Sequence, residues 1–249
     1  MSKYRGIVFD IDETIVPNGA SSVTSKPLIN AFANLPNNVI TIAATGRMKS
    51  SAFPIIGSLK LKHNTVVANG AQIINSSSGR TIYSRNLSVE QVNSVLKICE
   101  PYNYKIIIPS NSKKYMHSYT LKPITASALF VHNVIKTDAH YLAKIINKIS
   151  GVHAYIAPAW SDPANFDIGI GHAKAKKHVA IEILYKKYNL KPEEVIGVGD
   201  SINDIELFNA VGHKIAVANA NPKLLEQANE IVPSQKEDGI VTVINKYFN

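Results

Sequence analysis

With 249 residues, 45% of them hydrophobic, the chain is long enough to bury a substantial core as one large domain or two smaller ones. Its single cysteine, Cys99, excludes an intrachain disulfide and a cysteine-based metal site, and no apolar stretch approaches the ~20 residues needed to cross a bilayer. Lys and Arg outnumber Asp and Glu by 27 to 18, a balance of +9 that favours an anionic partner such as nucleic acid, an acidic membrane surface or a phosphorylated metabolite.

The first apolar run, at 6–9, meets Asp10 and Asp12 before a signal-peptide core could form, so no targeting segment is expected and a cytoplasmic location fits. A helix is predicted over 26–34, and short apolar strands over 39–44 and 65–68. At 75–80 the polar turn Asn-Ser-Ser-Ser-Gly-Arg opens a stretch of different character that runs to about Gly171. Within it, 88–100 and 137–150 have helical periodicity, while 105–108, 127–134, 152–157 and 166–170 read as strands. Two helices on a small, largely antiparallel sheet make a separate α+β module. The earlier pattern then returns with helices over 177–188, 203–210, 222–228 and 239–247, and strands over 195–198, 214–217 and 230–232. Pro192 marks a fresh start after the longest helix. Brief strands alternating with amphipathic helices predict an α/β fold. Its doubly wound parallel sheet is built from 1–74 and 172–249, and 75–171 forms a second, smaller domain.

Chemistry concentrates where strands end. Asp10-Ile11-Asp12-Glu13-Thr14 places two carboxylates directly after a buried strand, where charge is costly unless a metal or a reaction requires it. A single Asp there is most simply a helix cap. A second strand, however, ends in Ala44-Thr45-Gly46-Arg47, where a hydroxyl and a flexible turn could meet a phosphoryl oxygen. A third ends in Gly199-Asp200-Ser201-Ile202-Asn203-Asp204. In an open α/β sheet such endings converge on one crevice. Four acids gathered there repel one another unless a hard divalent cation binds them, and oxygen donors of this kind suit Mg²⁺.

These strings resemble the haloacid dehalogenase superfamily of phosphatases over roughly 2–72 and 172–248. The branch they are most similar to holds phosphoglycolate, sugar-phosphate and related cap-bearing phosphatases. Such proteins carry an inserted cap after the third strand, beside a sequence like Asn69-Gly70-Ala71, where the composition changes in this chain. The resemblance implies an Mg²⁺-dependent phosphohydrolase acting on a small phosphomonoester through an aspartyl phosphate, with the cap excluding water and selecting the leaving group. By motif, Asp10 is the nucleophile and Asp12 the acid and base. Thr45, Gly46, Arg47 and Asn203 contact the substrate. Mg²⁺ falls to Asp10, the Asp12 main-chain carbonyl, Asp200 and Asp204. Lys174, Lys176 and Lys177 crowd the segment of the family lysine. Lys177 is taken for it, because it stands three residues before a small residue with aliphatics on one helical face: Ala180, Ile181 and Leu184. Two departures stand out: His178 and Glu13 occupy positions where relatives often have Gly, and Glu13 could crowd the pocket mouth or alter cap closure.

Other features carry less. Asp238-Gly239 is read as a turn before the last helix, and the eight histidines show no paired ligand spacing. No acid interrupts the stretch between Glu100 and Asp138. Lys105, Lys113, Lys114, Lys122 and Lys136 fall inside it, and Tyr102, Tyr104, Tyr115 and Tyr119 interleave with the first three; most such clusters are ordinary surface, so nucleic acid is not the expected partner, and the resemblance implies a small phosphorylated metabolite and no membrane. The alternatives are a phosphomutase or phosphotransferase using the same aspartyl phosphate, and a non-catalytic module that binds a phosphorylated ligand or nucleic acid.

Overall fold

The structure, a computed structural model, describes residues 3–19, 23–110, 113–116, 124–159, 162 and 164–248. Tyr119 and Lys122 lie outside them. The chain forms two compact units, 1–83 with 176–249, and 84–175. These divisions compare with sequence boundaries of 74/75 and 171/172.

In the first unit the chain runs through β1 (Gly6–Phe9), α1 (Lys26–Ala33), β2 (Ile40–Ala43), α2 (Lys49–Ser58), β3 (Thr65–Val67), β4 (Gln72–Ile74) and β5 (Thr81–Ser84). The second unit supplies α3 (Val89–Cys99), β6 (Lys105–Ser110), β7 (Lys113–Met116), β8 (Leu129–Val134), α4 (Lys136–Ile146), β9 (Val152–Pro158) and β10 (Phe166–His172). The first unit is then completed by α5 (Lys177–Tyr188), β11 (Val195–Gly199), α6 (Ile205–Phe208), β12 (His213–Val217), α7 (Pro222–Leu225), β13 (Glu230–Val232) and α8 (Gly239–Phe248).

The main sheet of the first unit is parallel, in the order β13-β12-β11-β1-β2. From β1 the chain steps outward to β2, and its return at β11 lands on the other side of β1, which is the doubly wound arrangement. The strand order therefore reverses at β1, and the crevice beyond the carboxyl ends opens there. Ile7, Val8 and Phe9 are fully buried, as are Val195, Ile196 and Val198, which is why these strands read as unbroken apolar runs. Helix α1 starts at Ser25, whose hydroxyl accepts the Leu28 N–H, and buries Leu28, Ala31 and Phe32.

The polar run at 75–80 closes a hairpin instead of leaving the unit. Asn75 Oδ1 accepts from the Ser77 and Ser78 amides, and the Asn75 N–H donates to the Arg80 carbonyl, so β4 and β5 extend a small sheet with β3. This hairpin holds residues up to 83 in the first unit. Helix α2 had no clear signal in the sequence: it contains Pro54 and Gly57, and only Ala52, Ile55 and Ile56 are buried along it.

The second unit is a five-stranded antiparallel sheet, β7-β6-β8-β10-β9. Alternate residues of its strands, among them Ile106, Val131 and Ile168, form one core with Val92 and Leu96 of α3 and Leu142 and Ile146 of α4. Helix α3 begins with a reciprocal cap between Ser88 and Gln91. Tyr102 and Tyr104 stack on each other, and the Tyr104 hydroxyl donates to Asp138 at 2.8 Å. Lys105 lines a pocket of about 510 Å³ together with His132 and Asp167.

Ile42 is fully buried on the strand beside β1. Ile42→Ala should destabilise the protein by about 2–5 kcal/mol, read as a lower urea midpoint with an unchanged slope.

Candidate active site

Each sheet ending is shaped by its own backbone. The Asp10 N–H donates to the Val198 carbonyl, continuing the β1–β11 ladder by one residue. The chain then turns tightly, with the Glu13 amide on the Val16 carbonyl and the Ile15 and Val16 amides on the Ile11 carbonyl. Glu13 takes a left-handed φ of 54° at that turn. A glycine would adopt it freely, which gives the departure at this position a physical meaning. The Glu13 side chain folds back to accept the Asn18 N–H at 2.7 Å. Thr14, fully buried, donates its hydroxyl to Asp200 Oδ1 at 2.7 Å and so ties the β1 turn to the end of β11.

After β11, Asp204 closes its own turn. Its Oδ2 accepts from the Asp200 and Ser201 amides, while Oδ1 faces inward. The turn is tight because residue 199 is Gly: a Cβ there would stand 2.6 Å from the Asp204 Cβ. Lys177, at the start of α5, is fully buried and drives its ammonium between two carboxylates, 2.9 Å from Asp10 Oδ1 and 2.6 Å from Asp204 Oδ1. Of the three crowded lysines it is the one that reaches the acids. Lys176 pairs with Glu206 at 2.9 Å, and Lys174 is exposed in the second unit.

Asp12 and Arg47 form a second group. The guanidinium grips both Asp12 oxygens, with Nη2 at 2.6 Å from Oδ1 and Nε at 2.9 Å from Oδ2, and a further bond runs from Nη2 to the Gly19 carbonyl. The fork matches a carboxylate bidentately. Thr45 is fully buried, and its Oγ1 accepts the Arg47 N–H at 3.0 Å. Gly46 lies close to the Asn69 amide group. Exposed Asn203 donates to Asn69 Oδ1 at 3.4 Å, the longest contact of the set. The sequence reading assigned no part to Thr14 or Glu206, since no spacing rule marks either.

Electrostatics follow from the crowding. Burial first, and then the neighbouring Asp204, push the Asp10 carboxyl well above its ordinary value, with Lys177 acting in the opposite sense. Asp200 is raised from 3.8 to about 7 by burial and by Asp204, against the Thr14 hydrogen bond. Burial works to lower the Lys177 pKa, but Asp10 and Asp204 override it and hold the ammonium above its usual range. Asp10, Asp200 and Asp204 each offer one oxygen that lies within 4.8 Å of the other two. Three hard donors, two of them held at raised pKa by burial and by the neighbouring Asp204, fit a divalent cation such as Mg²⁺.

Comparison with known proteins gives one family. The family described as haloacid dehalogenase-like hydrolase matches residues 7–150 and 123–244. A phosphoglycolate phosphatase of Staphylothermus marinus is 26% identical, with 98% of each chain covered. A putative phosphatase of Haemophilus influenzae is 31% identical, again with 98% of each covered. Among solved structures, a Thermotoga maritima protein superposes with a TM-score of 0.81 at 20% identity, covering 98% of this chain and 97% of its own.

The raised Asp200 has a measurable sign. Between about pH 4 and pH 7 the metal-free folded protein keeps a proton that the unfolded chain releases, so this contribution to stability is present at low pH and lost as pH rises through about 7. Mg²⁺ should therefore raise the melting temperature more at about pH 8 than at about pH 5. Asp200→Asn should flatten that difference in a thermal-shift titration with Mg²⁺ and with chelator.

Proposed function

Because the chain belongs to the haloacid dehalogenase-like hydrolase family, we propose that it is an Mg²⁺-dependent phosphatase that passes the phosphoryl group of a small phosphomonoester to Asp10 and then to water. The observation that carries the reading is the Lys177 ammonium held between Asp10 and Asp204, with Asp200 completing a buried acid cluster at the carboxyl ends of the sheet. The name of the Staphylothermus marinus relative favours a phosphoglycolate-like ester, and the sequence resemblance adds sugar phosphates as the other candidate class.

In the first half-reaction an Asp10 oxygen attacks phosphorus opposite the ester oxygen. The new O–P bond forms as the ester P–O bond breaks, and Asp12 gives the departing alkoxide its proton. In the second, Asp12 takes a proton from water as that water attacks the same phosphorus, releasing inorganic phosphate and restoring the Asp10 carboxylate. Lys177 offsets the charge that gathers on Asp10 and the phosphoryl oxygens. Asp10, Asp200, Asp204 and the Asp12 carbonyl would hold Mg²⁺, which would supply further compensation for the phosphoryl charge.

Two arrangements serve these steps. The Thr45 oxygen already accepts the Arg47 N–H, which leaves its own O–H proton to donate to a transferring oxygen. Arg47 grips both oxygens of Asp12, and an anion that draws the guanidinium away would free them. The phosphoryl group of an arriving ester is such an anion. Gly46 and Asn203 belong to the same surround, where Asn69 touches both.

Inorganic phosphate release from a panel of small esters, with Mg²⁺ and with chelator, tests the reading. Release should require the cation and fall at least about a thousandfold in kcat for Asp10→Asn. Full activity in that variant would overturn the role of Asp10. Conserved total ester phosphate in the products would turn the assignment from hydrolase to phosphotransferase.

A further inference from the structure

A fully buried lysine is aimed by the backbone that carries it, so the hold on Lys177 begins at the peptide joining it to Lys176. Lys176 is the N-cap of α5 and offers no side-chain acceptor to the first turn. Glu206, from α6, takes that place. Its Oε2 accepts the Lys177 N–H at 3.0 Å, and its Oε1 pairs with Lys176 Nζ at 2.9 Å. The other end of the same peptide is confined by Gly70, at φ 95°, where a Cβ would collide with the Lys176 carbonyl. One peptide bond is thus held at its N–H by Glu206 and walled at its carbonyl by Gly70.

We infer that Glu206 is a positioning residue: it fixes the Lys176–Lys177 peptide so that the Lys177 ammonium stays on Asp10 and Asp204. Asp204 and Glu206 stand two residues apart at the start of α6, so one short segment receives both the head and the backbone of Lys177. His178 Nδ1 lies 3.9 Å from Glu206 Oε2, beyond hydrogen-bond range, and does not compete for it. The Glu206 side chain is 28% exposed, and its replacement removes two contacts, the Lys177 N–H bond and the Lys176 ion pair, of which a Gln side chain can keep the first. The inference rests on the part given to Lys177 in the proposed reaction.

The test compares Glu206→Met, which cannot accept the N–H, with Glu206→Gln, whose amide oxygen can, both checked for fold by circular dichroism. Glu206→Ala serves as the non-accepting variant if the Met form does not fold. Glu206→Met should lower kcat about ten- to a hundredfold with KM within about twofold, and Glu206→Gln should recover most of the rate. In a Lys177→Met background Glu206→Met should cost nothing further, because the residue acts through the lysine. An unchanged kcat in Glu206→Met, equal defects in Met and Gln, or the same fold-loss without Lys177 would overturn the inference while leaving Lys177 in place. A wild-type rate in Lys177→Met alone would instead remove the lysine's role, and the positioning role with it.

Discussion

The Lys177 ammonium donates to Asp10 at 2.9 Å and to Asp204 at 2.6 Å with its side chain 1% exposed, and the surrounding architecture depends on that contact. A buried carboxylate without a partner costs several kcal/mol in effective desolvation, and Asp10, Asp200 and Asp204 are all buried in one place. One ammonium among three acids leaves the cluster short of positive charge. Burial first, and then the neighbouring Asp204, raises the Asp10 and Asp200 carboxyls, and the shortage of positive charge equips the cluster to take a divalent cation. Breaking the pair from either side strands a charge in a water-poor corner, so the acids and the lysine form one electrostatic unit.

Holding that unit requires several elements at once. β1 presents Asp10, β11 and its following turn present Asp200 and Asp204, and α5 brings Lys177 from outside the sheet. Thr14 ties the first of these to the second. Small residues stand where backbones and side chains must approach: Gly199 admits Asp204, and Gly70 admits the Lys176 carbonyl. Arg47 and Asp12 form a separate, more exposed pair beside this cluster, and their mutual grip makes the two halves of the site electrically distinct.

The sheet was legible in the sequence because its strands are buried on both faces, so Gly6–Phe9 and Val195–Gly199 appear as short apolar runs between turn signals. The acids were legible because an Asp after such a run defies its surroundings. Helix α2 was not, since Pro54 and Gly57 interrupt its periodicity and neighbours decide its conformation. The 75–80 turn reads as the start of a second domain, while its polar residues bond within a hairpin as readily as they would in a linker. Thr14, Glu206 and the Asp12–Arg47 pairing were illegible for a common reason. Each joins residues brought together by the fold, 186, 29 and 35 positions apart, and no local pattern encodes such meetings.

The first unit is built from two stretches of chain separated by the whole of the second, and this shapes how the protein comes into being. β1 pairs with β2 early, but its other neighbour, β11, begins at Val195. The ammonium that neutralises Asp10 lies 167 positions after it. During synthesis the second unit, continuous in sequence and with its own core, has all its strands before the first unit can close. Until the final third emerges, β1 remains an open edge and Asp10 has no counter-ion. Such long-range pairing is slow to form, so the nascent chain carries an incomplete sheet for most of its synthesis, and the buried cluster of acids and lysine is among the last parts of the molecule to exist.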